Sequence, residues 1–236
     1  MRILALLFLC ASACFGQMPM GGVTGSGTSA GPAVSQSNGG INNNATTRTA
    51  VLSSPVGAGA TIVVFCGVNH LTTCTVGDTL NGAFGAAAGS ETNPNGALGY
   101  IYIFQNSAAG SSDTITCTAA ASGNTACLPA ALTGVHISSL DQLTGSVFTI
   151  ATATPASPNV TTTSANEVIL GFFGANNATE TITAGAGYTL FTNGSQGGSQ
   201  RSFGAEYQVV SSTGTYNAGA TFSGSSQGIT IIATFK

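Results

Sequence analysis

The stretch Thr61 to Val68, TIVVFCGV, decides how this chain is read. It is apolar at both odd and even positions and rich in β-branched and aromatic side chains. It is too short for a buried helix, and turn-forming residues bound it on both sides. Such a run predicts a central strand covered on both faces. Glu167 to Phe173, EVILGFF, repeats the pattern and predicts a second one.

Working outward, further strands are predicted at Tyr100 to Phe104 (YIYIF), Asp113 to Thr118 (DTITCT), Ser202 to Val210 and Gly228 to Phe235 (GITIIATF). The last alternates. Ile229, Ile231, Ala233 and Phe235 point one way, and Thr230, Ile232 and Thr234 the other. His136 to Leu143 (HISSLDQL) reads as one helical turn or a loop. No stretch after residue 30 sustains a 3.6-residue apolar period, and no fixed repeat marks a solenoid or propeller. The T-x-T fragments Thr152/Thr154 and Thr181/Thr183 are irregular and predict no flat threonine ladder. Strand-sized runs at roughly 8–12-residue spacing indicate an all-β, antiparallel sandwich or barrel over residues 31–236, as one domain.

Charged residues make up 5% of the 236-residue chain, against roughly 25% in an ordinary domain. The cations are Arg2, Arg48, Arg201 and Lys236. No basic patch can form from so few, which argues against nucleic acid as a partner. The apolar fraction is 43%, enough for a sizeable core.

Residues 1–16 read as a secretory signal peptide: Arg2, the apolar run Ile3 to Leu9, then Ala11, Ser12 and Ala13. Cleavage is placed after Ala13 or Gly16. Lipidation of Cys14 is a less favoured alternative. The apolar run is too short to span a bilayer, and no later segment is long enough either. Residues 17–30 read as a flexible Gly/Ser/Thr-rich tether. A secreted or cell-surface location follows. It leaves four cysteines beyond the leader, Cys66, Cys74, Cys117 and Cys127, an even number that predicts disulfides. Three connectivities are open. Cys66–Cys74 and Cys117–Cys127 are favoured, because each pair flanks turn-like residues (Asn69-His70; Ser122-Gly123-Asn124) and would face across a hairpin.

Several segments then resemble a known grouping: AVLSSPVGAGATIVVFCGV (50–68), VGDTLNGAF (76–84), TGVHISSLDQLTGS (133–146), TTTSANEVILGFFG (161–174), AGAGYTLF (184–191) and GAEYQVV (204–210). In this order they resemble a loose group of exported bacterial β-sandwich domains. That resemblance implies a jelly-roll-like sandwich. It carries over no active-site residue, and the four cysteines depart from its usual apolar strand positions.

Chemistry-bearing patterns are sparse. Cys66, His70 and Cys74 form C-x3-H-x3-C, which lacks a fourth ligand and is read as disulfide rather than metal. Gly-x-Ser-x-Gly occurs around Ser29 and Ser226, the first in the tether and the second in an expected hairpin turn, so neither makes a nucleophile elbow. Gly25-Ser26-Gly27 lacks the strand and helix of a dinucleotide site. A glycosidase needs two carboxylates about 5–10 Å apart. The acids are Asp78, Glu91, Asp113, Asp141, Glu167, Glu180 and Glu206, with Glu167 and Glu206 on strands. Asp78 offers an oxygen to Ca²⁺, but an Asx-type turn is favoured. Asn44, Asn159, Asn177 and Asn193 sit in Asn-x-Ser/Thr triplets, which this composition produces freely. Tyr100 and Tyr102, with Phe104, share one strand face. Exposed, they form a platform for sugar rings, and buried, they are core.

The expectation is an exported, non-enzymatic module working by surface contact in adhesion, matrix or polysaccharide recognition. Tyr100 and Tyr102 are its candidate ligand contacts, and no cofactor, metal or catalytic residue is expected. The alternatives are a carbohydrate-active enzyme on a lectin-like sandwich and a self-associating structural subunit.

Overall fold

The computed structural model describes residues 30–69, 72–177, 180–191 and 201–236. The expected signal peptide, the tether up to residue 29, His70, Ser29 and Asn193 lie outside the described residues. These residues hold strands, turns and bends and no helix, so none is long and apolar enough to cross a membrane.

In chain order the first strands are β1 (Ala33–Ser37), β2 (Gly40–Leu52), β3 (Thr61–Asn69), β4 (Cys74–Asp78), β5 (Gly82–Ala83) and β6 (Gly89–Thr92). β7 (Ala97–Phe104), β8 (Asp113–Thr133), β9 (Leu140–Thr152), β10 (Val160–Thr161), β11 (Glu167–Ala175) and β12 (Ile182–Ala184) follow. β13 (Thr189–Leu190), β14 (Ser202–Val210), β15 (Thr215–Tyr216), β16 (Ala220–Phe222) and β17 (Ser226–Phe235) complete the chain. All pairings between them are antiparallel.

The long strand β8 organises the first sheet. β1 and then β2 run along one of its edges, and β3 and then β4 along the other. The register of β3 on β8 (Val68 opposite Thr125) continues without a slip into β4 (Cys74 opposite Ala119). Three nearly continuous strands therefore lie side by side. The bend lies at one level, between Asn42 and Thr47 on β2 and around 119–124 on β8, beside the connection from β3 to β4. Two register shifts in β2 lie at this level, and bulges of this kind sharpen strand bending. On β8 the bend is AAASGN (119–124), residues with little preference for a regular pleat.

The bend folds the sheet on itself and makes two parts. The body comprises β3, β6, β7 and the second half of β8. The flap comprises the second half of β2, the first half of β8, β4 and β5. Between them lies one apolar layer: Ile62, Val64, Cys66, Val68 and Tyr102 from the body meet Leu52, Val76, Ile115 and Cys117 from the flap.

The opposite face of the body packs on the second sheet, ordered β13-β14-β11-β17-β9. Val63, Phe65, Leu128 and Leu132 meet Val168, Leu170, Phe172 and Ile231 there. Phe65 stacks on Phe172 with ring centroids 5.0 Å apart and planes 8° from parallel, and Phe172 stacks on Phe203 at 5.9 Å. The sheets approach closely because Gly99 has no side chain. A Cβ there would lie 2.4 Å from Cε1 of Phe172. The outer face of the second sheet buries Ile169, Phe173 and Ile232 under the small pairs β10–β15 and β12–β16.

TIVVFCGV and EVILGFF are thus covered on both faces, as their composition requires, with every residue of β3 and β11 buried. GITIIATF alternates as its pattern predicts. One local expectation is corrected. Ser122-Gly123-Asn124 does not turn a hairpin. It lies inside β8, where the whole ribbon bends, so Cys117 and Cys127 stand on one strand. Of the two readings of His136 to Leu143, the loop holds over 136–139, without a helical turn. Ile137 and Ser138 make a turn, and β9 starts at Leu140.

Candidate functional site

The outer face of the flap is a threonine surface. On an antiparallel pair, directly opposed residues point to the same side. Thr47 (β2), Thr118 (β8) and Thr75 (β4) form one cross-strand row, and Thr49, Thr116 and Gly77 the next. Val51 and Thr114 begin a third. Thr47, Thr49 and Thr75 are exposed, and Thr114, Thr116 and Thr118 are half-buried. Their strand neighbours Ile115 and Cys117 point inward, fully buried, and this alternation is what turns the hydroxyls outward. Rows on such a surface repeat about every 7 Å along a strand, with strands about 4.8 Å apart. Thr75, Thr114, Thr116 and Thr118, with Asp78 and Phe84, line a groove of about 550 Å³.

No charged side chain belongs to these rows. Arg48 alternates with Thr47 and Thr49 and turns inward, its guanidinium lying over Gly40. A Cβ on Gly40 would sit 2.0 Å from Nη2. The sequence signal for this surface was present in T-T-R-T (46–49) and T-I-T-C-T (114–118). The fragments singled out for their T-x-T spacing, at 152/154 and 181/183, lie elsewhere.

Tyr100 and Tyr102 do not form the open platform considered for them. Tyr102 is 6% exposed, and its hydroxyl donates to the carbonyl of Cys74. Tyr100 is half-buried and donates to the carbonyl of Thr72 at 3.3 Å. Both rings face the layer between body and flap. Burial raises both phenol pKa values.

Cys66 and Cys74 are joined by a disulfide with Cα atoms 6.6 Å apart. Cys117 and Cys127 carry no disulfide and are fully buried. The sulfurs of Cys66, Cys74 and Cys117 lie within 4.8 Å of one another.

Asp78 makes the expected turn. Its Oδ1 accepts from the backbone N–H of Asn81 and Gly82, and its Oδ2 from the Asn81 side-chain amide. These N–H groups point positive charge at the carboxylate and fill its acceptor positions, an arrangement that suits a turn better than a Ca²⁺ ligand. Asp113 lies fully buried within hydrogen-bond reach of Asp78. Its Oδ1 accepts from the N–H and hydroxyl of Thr79, while its Oδ2 has no hydrogen-bond partner. Burial, and then the Asp78 charge, raise its pKa.

Glu167 and Glu206 are both fully buried on β11 and β14. Glu206 pairs with Gly171, four residues along from Glu167, or roughly 13 Å of strand. Glu206 accepts from the N–H of Gly185 at 2.8 Å and of Gly219 at 3.2 Å, tying two loops to the sheet. Burial pushes its pKa up to about 7 against these bonds. Glu180 holds the turn at Ser223 and Gly224. Ser226 begins β17 rather than a turn, 2% exposed, and its hydroxyl donates to the Gln227 carbonyl. His136 is exposed and accepts from the Ser138 N–H. Asp78, Glu167, Glu180 and Glu206 each accept backbone N–H groups and so anchor turns and loops.

No family model, no curated protein and no solved structure matches this chain.

Proposed function

We propose that this chain is an exported, non-enzymatic β-sandwich module of jelly-roll-like form that makes contact with neutral polysaccharide through the threonine face of its flap. The cross-strand rows Thr47–Thr118–Thr75 and Thr49–Thr116 carry the reading. Each threonine offers a hydroxyl that donates and accepts and a methyl that packs. Sugar rings present the same mixture of hydroxyl edges and C–H faces. One neutral hydrogen bond is worth only about 0.5–1.5 kcal/mol net. A row of them suits a repeating polymer, where many weak contacts add up. The signal-like residues 1–16 support export, and the two sheets packed face to face around Phe65 and Phe172 support the sandwich. Adhesion to a cell surface or matrix is the role this chemistry serves.

The test is a pull-down of the full chain on insoluble and immobilised neutral polysaccharides, beside Thr47→Glu/Thr49→Glu. Both positions are exposed, so the charges leave the core intact. Saturable binding by the parent chain and its loss in the variant are expected. Equal binding by both, or none by the parent, overturns the reading.

A second reading, a self-associating subunit, draws on Ile150. It is 83% exposed on β9, the edge strand of the second sheet. Exposed apolar edge strands invite pairing with another copy. Sedimentation over a wide concentration range, with Ile150→Lys as comparison, tests it. For a carbohydrate-active enzyme the support is thinner: among the acids of the described residues, Asp78 alone lines the threonine groove.

A further inference from the structure

The bend brings together side chains that a flat strand would keep apart, and on each of the three strands one such pair meets across it. On β3–β4 it is Cys66 and Cys74, already bonded. On β2 it is Gly40 and Arg48. On β8 it is Cys117 and Cys127, both fully buried and near enough for Cys127 to add to the raised pKa of the Cys117 thiol. Cys127 stands directly opposite both Cys66 and Gly40, and Cys117 opposite both Val76 and Arg48. The three pairs therefore form one line of contacts along the inside of the crease.

We propose that Cys117 and Cys127 are the site of a second disulfide, closed across the crease beside Cys66–Cys74. The oxidant is a small disulfide such as oxidised glutathione. The thiolate of one cysteine attacks a glutathione sulfur and releases one glutathione thiolate. The second cysteine attacks the resulting mixed disulfide and releases the other. One S–S bond forms and one breaks. Two electrons pass to the glutathione disulfide, and the two cysteine protons end on the two glutathione thiols. Both cysteines are fully buried once body and flap meet, so the bond forms while the flap is still open. In the closed molecule burial holds the Cys117 thiol well above its usual pKa, and the thiolate needed for exchange is withheld. The closed crease thereby protects both bonds.

Refolding of the fully reduced full-length chain with a reduced/oxidised glutathione couple and EDTA tests this. Alkylation in denaturant and thermolysin digestion without reductant then allow disulfide mapping by mass spectrometry. The expected map links Cys66 to Cys74 and Cys117 to Cys127. Alkylated Cys117 and Cys127 beside an intact Cys66–Cys74 bond overturn the proposal, as does either residue linked to Cys66 or Cys74. A second readout uses Cys117→Ala/Cys127→Ala. Without reductant the parent chain should show an unfolding constant about 10- to 100-fold smaller than the variant, and the difference should shrink when reductant is added. Equal unfolding constants without reductant overturn it.

Discussion

The buried thiols of Cys117 and Cys127 are near enough to interact, although both belong to the same strand, β8. A straight strand would hold them roughly 33 Å apart. Their meeting measures how sharply the first sheet folds, and the Cys66–Cys74 disulfide records the same fold on the neighbouring strand. The consequences of this arrangement, and of the close approach between sheets, are open to direct measurement.

The Cys66–Cys74 bond closes a short loop, with a sequence separation of 8. On the chain-entropy account such a loop stabilises by about 2–3 kcal/mol. Cys66→Ala/Cys74→Ala is expected to lose that much, read from the midpoint of urea unfolding at constant slope. A variant as stable as the parent chain would show that packing alone holds the flap down.

Gly99 and Gly57 make a matched pair. A Cβ on Gly99 would meet Cε1 of Phe172 at 2.4 Å and Cδ1 of Ile229 at 2.8 Å, between two well-packed sheets. Gly57 is exposed, with nothing within 4 Å of such a Cβ. Gly99→Ala should destabilise by about 1–3 kcal/mol through overpacking. Gly57→Ala should be neutral or slightly stabilising through the unfolded chain. Thermal melts of the two variants decide it, and a neutral Gly99→Ala would mean that the sheets can separate at little cost.

Glu206 should make stability fall as pH rises. Its folded pKa of about 7 stands above the ordinary 4.5. The folded state therefore holds its proton more tightly than the unfolded state. The stabilisation is complete below about pH 4.5 and is lost as pH climbs through 7. The difference corresponds to about 3 kcal/mol across that window. Asp113, also raised, acts in the same direction. Glu206→Gln should flatten the profile between pH 5 and 8, measured by urea unfolding at a series of pH values. An unchanged slope would assign the dependence to other groups.

Asp141 behaves in the opposite sense. Burial pushes its carboxyl up. Hydrogen bonds from Lys236 Nζ, at 2.8 Å, and from the hydroxyl and N–H of Thr163 outweigh that and bring it down to about 2. Its contribution is present above the ordinary 3.8 and is lost as pH falls through about 2. In Lys236→Met the Asp141 titration, followed by carboxyl NMR shifts, should move upward. A titration left in place would show that Thr163 alone holds the carboxylate.

The all-β class and the two central strands were legible in the sequence, because TIVVFCGV and EVILGFF leave no polar face to turn to water. The alternation of GITIIATF assigned its two faces correctly for the same reason. The bend was not legible. Asn, Gly and Ser announce that a strand departs from the pleat. A reversed hairpin and a creased ribbon use the same residues, and only the pairing of β1–β2 and β3–β4 along both edges of β8 separates them. Tyr100 and Tyr102 shared a face as expected, but which side the flap would cover depended on that same bend. The threonine rows were hidden because Thr47, Thr75 and Thr118 are distant in sequence and become neighbours only through register.

The crease also bears on how the molecule comes apart. Body and flap share three strands, so the layer beneath the flap and the layer between the sheets draw on the same backbone hydrogen bonds. Peeling the flap bends β8 straight, and the straightened strand no longer fits the Phe65–Phe172 stack on its far side. Loss of one layer should therefore propagate to the next, and the chain is expected to melt as a single cooperative unit rather than leaf by leaf.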